Sequence, residues 1–498
     1  MKKIIFIFVL TLVDVFYFKQ IYAIDPTFPQ LSKLEKEGVQ ISAMVMRLNN
    51  KDIIAEMNPD KRLSPASTSK LILAAQALET WGSNKTFKSQ IYMRGQLQNG
   101  VLNGDLIFYG SGDPSFTNEK IWFLATDVYR YGIKKVTGNL IINNSIFGLI
   151  KEDQNRSSGK VKSRNAYDSP LSSAAINFSV LALVVNPAQK IGQAASISIE
   201  PFPMDNVKII GKVITEKENS APQISVSRSS SNGKDIFTIS GSIPFGNTTK
   251  RIYRSISNAE IYAGETLKAF IKSSGVQLNG KIAIESKPIS KNDVLIAEVE
   301  GFPLDWQLKG LFQVSNNFIA DMLTLNLLNE NASQGKGNLV EGGKILENYV
   351  RNAYKDSPWG EIKNNNSPIV MESGSGLTPN NRLSARDIIC VLDRMYFNGR
   401  DFPAFLSALP IPGDEGTLKK RFQTSSEKFL QERLRAKTGT LSEPVSVNAL
   451  GGYSRLRNGE WVAFAIIANG TKSKPQIEIK HLRDAIDSDL ARVLPSEL

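Results

Sequence analysis

Among 498 residues there is one cysteine, Cys390, and one histidine, His481. A single cysteine excludes an internal disulfide, and its setting in Ile388-Ile-Cys-Val-Leu392 reads as a small apolar residue on the buried side of a helix. A single histidine excludes a metal centre built from several, and any serine–histidine–acid triad would have to use that one residue near the C-terminus. Its neighbours, Ile-Lys-His-Leu-Arg, read as an exposed turn of helix, so a serine enzyme built from this chain takes its base from another residue type. Long apolar runs are missing too. Met1-Lys-Lys leads into an apolar stretch that ends at Val13, before Asp14. That is short of the roughly 20 residues that span a bilayer. With Ile21-Tyr-Ala23 as a cleavage site, residues 1–23 read as a secretory signal peptide, an uncleaved anchor being the alternative. No later stretch is long and apolar enough to cross a membrane.

Charge of one sign prevails. Lys and Arg number 60 against 48 Asp and Glu, a formal +12 that becomes +10 once residues 1–23 are removed. This suits peripheral contact with an anionic cell-wall polymer or with lipid headgroups, although solubility alone would also account for it. The basic residues are dispersed and no nucleic-acid motif accompanies them, so a nucleic-acid partner is not expected. The apolar fraction of 41% is enough for sizeable cores, and the length suits about two to four domains.

One stretch organises the rest. Ser64-Pro-Ala-Ser67-Thr-Ser-Lys70 precedes Leu71, Ala74, Ala75 and Leu78 at helical spacing. Pro65 fits a helix start, because the amide hydrogen it lacks would have no partner there. Residues three apart share a helix face, so the Ser67 hydroxyl and the Lys70 amine can meet. A serine hydroxyl needs a base before it attacks a carbonyl, and an amine whose pKa is lowered can be that base. The helix N-terminus adds positive potential for a developing oxyanion. The same spacing recurs at Ser157–Lys160, Ser231–Lys234, Ser333–Lys336 and Ser425–Lys428, but only Ser67–Lys70 opens a long apolar helix. Taken alone, Ser67 reads equally well as a helix cap.

Residues 39–48 and 51–57 flank Asn49-Asn50 as a hairpin, and Arg457-Asn-Gly459 joins two apolar strands near the other end. Helical spacing marks residues 306–311, 318–328, 340–353, 385–396 and the segment with Leu482, Ile486, Leu490 and Val493. Between about 98 and 295 the texture changes to short β-rich runs separated by Gly, Asn and Ser, with one helix near 121–131. Gly110-Ser-Gly-Asp-Pro there lacks the further glycine and lysine of a phosphate cradle and reads as a turn. An α+β fold follows. Strands from both chain ends share an antiparallel sheet covered by helices, in a discontinuous domain of residues 24–97 and 296–498. Residues 98–295 form a β-rich insertion of two subdomains.

Two further pieces suit the Ser–Lys pair. Ser315-Asn-Asn317 stands at a helix start, where Ser315 could relay a proton to a leaving amine and Asn317 could bind Lys70 and a substrate amide. By itself the pattern is equally a helix cap, and Ser446-Val-Asn448 repeats it. Lys437-Thr-Gly-Thr440 occurs once, on a strand. Its lysine and the hydroxyls of Thr438 and Thr440 could bind a carboxylate, Gly439 permits close approach, and the amide of Thr440 could join that of Ser67 as an oxyanion hole. S-x-x-K, S-D-N and K-T-G occur together in penicillin-binding proteins and class A β-lactamases, and here they stand in that order.

The chain resembles the D-alanyl-D-alanine carboxypeptidases of the penicillin-binding protein 4 type, the S13 peptidases. The likeness rests on Pro65-Ala-Ser67 with Lys70, the long gap before Ser315, Leu102-Asn-Gly-Asp-Leu with Gly110-Ser-Gly-Asp-Pro, Gly374-Ser-Gly-Leu377, Leu409-Pro-Ile-Pro-Gly413 with Glu415-Gly-Thr-Leu418, and Lys437-Thr-Gly-Thr-Leu441. It implies the transpeptidase-like fold of penicillin-binding proteins and serine β-lactamases, with a five-stranded antiparallel sheet. It also implies a periplasmic serine DD-peptidase that removes the terminal D-alanine of peptidoglycan stem peptides and cleaves D-alanyl–diaminopimelate cross-links. Ser67 would be the nucleophile and Lys70 its base. Ser315 and Asn317 would assist proton transfer, and Lys437, Thr438, Gly439 and Thr440 would hold the substrate carboxylate. β-Lactams would acylate Ser67, and no metal or organic cofactor is implied. The chain departs from the family at Ser373, where Asp is usual, and at Asn316, where Asp is common. A serine β-lactamase and a non-catalytic peptidoglycan-binding protein are the alternative readings.

Overall fold

Alternating apolar residues near the N-terminus find their partners near the C-terminus. In the computed structural model, which describes residues 28–150, 165–231, 234–331, 336–360 and 367–494, the strand Gln40–Arg47 pairs antiparallel with Trp461–Asn469. The full sheet runs Leu434–Leu441, Val447–Arg455, Trp461–Asn469, Gln40–Arg47, Ile53–Met57, and every neighbouring pair is antiparallel. This is the expected five-stranded arrangement. Both expected hairpins form, and Gly459 supplies the left-handed residue of the second with φ 91°. The expected signal peptide lies outside the described residues. Among those described, no helix is long and apolar enough to cross a membrane.

The period of two divides the strands between two cores. Ile41, Ala43, Val45, Val462, Phe464 and Ile466 pack against the helices Pro29–Lys36 and Ile479–Val493. Met44, Met46, Ala463, Ala465 and Ile467 face a thicker layer that includes the helices Ser69–Trp81, Leu304–Gln313, Leu339–Lys355, Ala385–Phe397 and Phe402–Ala408. In that layer Ser69–Trp81 is buried on nearly all sides, which is why its residues show little amphipathic bias. It ends on Gly82, whose φ of 74° suits a residue without Cβ. Cys390 is buried in Ala385–Phe397, as its neighbours predict, and burial pushes its thiol up.

The β-rich region holds three sheets. One has seven strands and includes Lys88–Gln98, Val101–Tyr109 and Val294–Glu300. Two three-stranded sheets are built from Val207–Glu216, Gln223–Ser231 and Lys234–Pro244, and from Val180–Asn186, Ser196–Glu200 and Lys250–Ser255. The first sheet therefore starts at Lys88 and ends at Glu300, past both limits of the expected insertion, because Lys88–Gln98 pairs with Val294–Glu300 rather than with a strand of the five-stranded sheet. This region carries two α-helices where one is expected. Asn118–Arg130 is the expected one, and Ala259–Ser273 is the second, its first turn capped by the Asn258 side chain on the amide of Ile261.

One helix joins the halves. In Asn317–Asn331, Ile319, Ala320, Leu323 and Leu327 belong to the core under the five-stranded sheet, while Phe318, Met322 and Leu325 belong to the core of the inserted region. A helix apolar on both sides lies between two bodies. Its first residue is one of the expected catalytic residues.

Candidate active site

The turn that carries Ser67 is tight and strained. Ala66–Thr68 is a 3-10 turn that runs into the α-helix at Ser69, so Ser67 and Lys70 straddle the junction. Thr68 Oγ1 donates to Pro65 O at 2.7 Å and Ser69 Oγ to Ala66 O at 2.8 Å, which closes the turn on itself. Ala66 has φ 45°, a conformation that costs a non-glycine residue roughly 1–3 kcal/mol and persists only where its surroundings enforce it.

Lys70 is fully buried, and its amine meets three oxygens. Nζ lies 2.9 Å from Ser67 Oγ, 2.8 Å from Asn317 Oδ1 and 2.6 Å from the carbonyl of Ser375. Ser67 Oγ also donates to that carbonyl, at 3.3 Å. The predicted convergence of Ser67, Lys70 and Asn317 is thus a hydrogen-bonded cluster.

Asn317 is placed by a division of labour in Ser315-Asn-Asn317. The side chain of Asn316 accepts from the amide of Ile319 at 3.1 Å and caps the helix. Asn317 is then free to turn its amide inward, where Nδ2 donates to the carbonyl of Tyr167 at 3.1 Å and Oδ1 receives Lys70. Ser315 has φ 55° and is half-buried beside them. Its hydroxyl makes no hydrogen bond among the described residues, so the structure does not join it to the cluster in the way it joins Asn317.

The strand Leu434–Leu441 brings Lys437. Ala436 faces the core of the terminal helices, so by alternation Lys437 points to the Ser67 side. Lys437 is fully buried and donates to the carbonyl of Thr438 at 2.7 Å. Burial pulls its ammonium well below the usual lysine range, and the charge of Lys70 nearby adds to the effect. Two amines so placed resist being protonated together. Gly439 closes the gap between strand and turn. A Cβ there would stand 2.6 Å from Pro65 O and 3.2 Å from Ala66 Cβ, so only glycine lets the strand lie against the serine turn. Thr438 Oγ1 donates to Thr417 Oγ1 at 2.8 Å, while Thr440 is exposed at the same edge.

Ser375 is the part of the cluster that side-chain motifs do not reveal, since it contributes a backbone carbonyl. The signal is in its flanking glycines. A Cβ on Gly376, whose φ is 71°, would stand 1.9 Å from Ala66 O, and one on Gly374 would stand 2.6 Å from Thr324 Oγ1. Asn381 ties this segment to the serine helix, donating to Ser69 Oγ at 3.1 Å and to Ser373 O at 3.0 Å. Ser373 Oγ shares a 3.0 Å hydrogen bond with Ser375 Oγ. Among the described residues no group of three or more His, Cys, Asp and Glu stands together as a metal site.

Known proteins share this plan. Residues 27–493 match the D-Ala-D-Ala carboxypeptidase 3 (S13) family. The chain is 26% identical over 464 residues to D-alanyl-D-alanine carboxypeptidase DacB of Haemophilus influenzae, with 89% of each chain covered. It is 24% identical over 480 residues to a D-alanyl-D-alanine carboxypeptidase of an Actinomadura species, covering 91% of this chain and 82% of that one. The crystal structure of penicillin binding protein 4 from H. influenzae superposes with a TM-score of 0.71 at 24% identity, covering 93% of this chain and 97% of that one. The fold is that of penicillin binding protein 4, with the five-stranded antiparallel sheet that the sequence leads one to expect. With a family match that spans nearly all of its length, the chain belongs to the S13 family of D-Ala-D-Ala carboxypeptidases and is a serine-type hydrolase of peptidoglycan metabolism.

Proposed function

We propose that Ser67 attacks the carbonyl of the penultimate D-alanine of a peptidoglycan stem peptide. Lys70, unprotonated, takes the hydroxyl proton as the Oγ–C bond forms. The amides of Ser67 and Thr440 hold the oxyanion. Lys70 returns the proton through Ser315 to the departing amine, and the C–N bond breaks to release D-alanine. Water then attacks the acyl-enzyme, giving its proton to Lys70, and Lys70 passes that proton to Ser67 Oγ as the Oγ–C bond breaks, which frees the acid product and restores the hydroxyl and the neutral amine. Asn317 keeps the Lys70 amine aimed at Ser67 and offers its amide to the substrate backbone. Lys437, Thr438 and Thr440 receive the terminal carboxylate, with Gly439 allowing its approach.

The observation that carries this reading is the 2.9 Å contact between Lys70 Nζ and Ser67 Oγ, with the same amine held by Asn317 and the Ser375 carbonyl. A base must lie within hydrogen-bond reach of the proton it removes, and this one does. β-Lactams mimic the D-Ala-D-Ala end and acylate the same serine. The solved complex of H. influenzae penicillin binding protein 4 with a β-lactam supports that part. We extend the reading to cleavage of D-alanyl–diaminopimelate cross-links, to catalysis after export into the periplasm, and to peripheral contact with an anionic wall or membrane surface.

Fluorescent penicillin tests the core of the proposal. Wild type is expected to form a covalent adduct and to release D-alanine from a pentapeptide stem, and Ser67→Ala is expected to do neither. Labelling that survives Ser67→Ala would refute the assignment. Cross-linked dimeric stem peptides test the endopeptidase activity by the appearance of monomers.

A further inference from the structure

Two arginines that the reaction does not use flank Leu434, the first residue of the strand that carries Lys437. Arg433 and Arg435 lie at its start, and Arg455 and Arg457 lie across from them in the hairpin to Trp461. The amide of Arg455 donates to the carbonyl of Arg433 at 3.1 Å, and Arg455 stands opposite Trp461 in the ladder. Together with Glu432 these five residues line a cavity of about 590 Å3.

Arginines without a carboxylate partner occur elsewhere among the described residues, as at Arg254 and Arg382, which donate to backbone carbonyls, but here four of them share one cavity. Arg47, Arg62, Arg94, Arg386, Arg394 and Arg421 each form an ion pair with a carboxylate. None of the four around the cavity does so among the described residues. Glu460, the hairpin's own carboxylate, is taken by Arg47, Asn49 and Asn458 on its far side. Arg435 is half-buried and donates only to the carbonyl of Leu434, at 3.1 Å, and Arg433 lies over the ring of Phe429 at 5.7 Å. Burial lowers the basicity of the Arg435 guanidinium, the nearby charge of Glu415 opposing this, as expected for a cation set into a wall without a bonded anion. The wall is firm. Trp461 packs edge-on to Phe402 at 6.3 Å and to Tyr453 at 6.5 Å.

We propose that this cavity binds a phosphate-bearing anion, with Arg433, Arg435, Arg455 and Arg457 as donors and Trp461 as an apolar wall for the organic part. One planar fork satisfies a carboxylate, whereas a tetrahedral phosphate presents oxygens in several directions and uses several forks at once. Glu432 is the one carboxylate among the lining residues and Glu415 stands near Arg435, so two negative charges face four positive ones, and an anion carrying more than one negative charge fits best. The phosphate could belong to a soluble compound or to a lipid headgroup, and the same guanidinium chemistry serves both. The inference does not depend on the serine chemistry, since no residue of the cavity takes part in it.

The test uses the purified protein at 0.15 M salt with two probes. Inorganic pyrophosphate is titrated calorimetrically, and vesicles of phosphatidylglycerol in phosphatidylcholine are co-sedimented against phosphatidylcholine alone. Arg455→Gln/Arg457→Gln removes two exposed donors, and Arg130→Gln/Arg483→Gln removes the same charge elsewhere on the surface. Saturable binding of either probe is expected, weakened by about tenfold or more in the first pair and by less than about twofold in the second. Binding of pyrophosphate alone assigns the site to soluble phosphates, binding of vesicles alone assigns it to headgroups, and both support the shared chemistry. The proposal is overturned if neither probe saturates below millimolar phosphate, or if both variant pairs weaken binding equally. Penicillin labelling of both variants at the wild-type rate checks that they are folded.

Discussion

Gly376→Ala would test whether the serine turn is held from behind. The added Cβ would stand 1.9 Å from Ala66 O and 3.0 Å from Ser67 N, on a backbone with φ 71°. An Ala at that φ costs about 1–2 kcal/mol, and a forced contact of this kind costs about 1–3 kcal/mol more where the surroundings cannot give. They cannot give easily, because the atom struck is backbone and Ala66 is already strained at φ 45°. Relief needs a separation of about 1 Å between residue 376 and the turn. That movement carries off the Ser375 carbonyl, which now holds Lys70 Nζ at 2.6 Å and Ser67 Oγ at 3.3 Å. Misplacement of reacting groups by about 1 Å can cost roughly a hundredfold in rate. The expected result is therefore a stability loss of about 2–5 kcal/mol in urea, with penicillin acylation slowed by about a hundredfold in the protein that remains folded. Gly399→Ala is the control, since a Cβ there meets nothing within 4 Å, and it should leave both quantities nearly unchanged. Wild-type acylation and stability in Gly376→Ala would refute the claim that this glycine sets the cluster.

Other perturbations read separate parts of the structure. Asn317→Asp puts a carboxylate 2.8 Å from Lys70 Nζ, which favours the protonated amine, so the acylation rate should fall at neutral pH and recover towards alkaline pH. An unshifted pH–rate profile would contradict Lys70 as base. Burial raises the Asp113 carboxyl from 3.8 to about 6, against the opposing hydrogen bonds from Ser115. Between those two pH values the unfolded chain ionises while the folded carboxyl stays protonated, so its contribution to stability, full below about 3.8, is lost as pH rises through about 6. The loss is up to about 3 kcal/mol, and urea midpoints measured from pH 3.5 to 7 should show it in wild type and not in Asp113→Asn. Asp387 is fully buried, caps its helix through the amide of Ser384, and accepts from Arg62 and from the Tyr354 hydroxyl. Asp387→Ala strands a buried guanidinium and should cost about 3–5 kcal/mol by urea denaturation.

Legibility in the sequence followed the kind of group involved. Ser67 and Lys70 stood out because this pair alone opens a long apolar helix, although the spacing by itself also fits a helix cap, and the two side chains do meet. Asn317 and the strand setting of Lys437 were readable from the order of short motifs, while a single motif was not enough, as Ser446-Val-Asn448 shows, its last two residues opening a strand of the five-stranded sheet. Backbone acceptors were not readable. The carbonyls of Ser375 and Tyr167 could belong to any residue, and only Gly374 and Gly376 mark a close approach. The sheet of the inserted region was blurred at its edges because Lys88–Gln98 finds its partner in Val294–Glu300, about 200 residues away, and an alternating strand does not announce which partner it has. Ala259–Ser273 was overlooked inside strand-rich text, although Asn258 at its start is a capping signal.

The inserted region does more than hang from the catalytic sheet. Three consecutive residues, Asn177, Phe178 and Ser179, have positive φ values of 49°, 58° and 53°. Such a run of non-glycine residues is costly and needs bracing. Asn177 is braced by Asn118, to which it donates at 2.7 Å and from whose amide it accepts at 3.0 Å. Phe178, which packs against both cores, meets Phe318 edge-on at 6.0 Å, and Phe318 directly follows Asn317. Ten residues before that turn, Tyr167 offers its carbonyl to Asn317 itself. The residue that holds Lys70 is thereby fixed by one helix that both bodies share and by two contacts from the inserted one. A binding accessory on a loose tether would need neither, and if these contacts set the position of Asn317, truncating Phe178 to Ala should slow acylation while leaving the five-stranded sheet intact by circular dichroism.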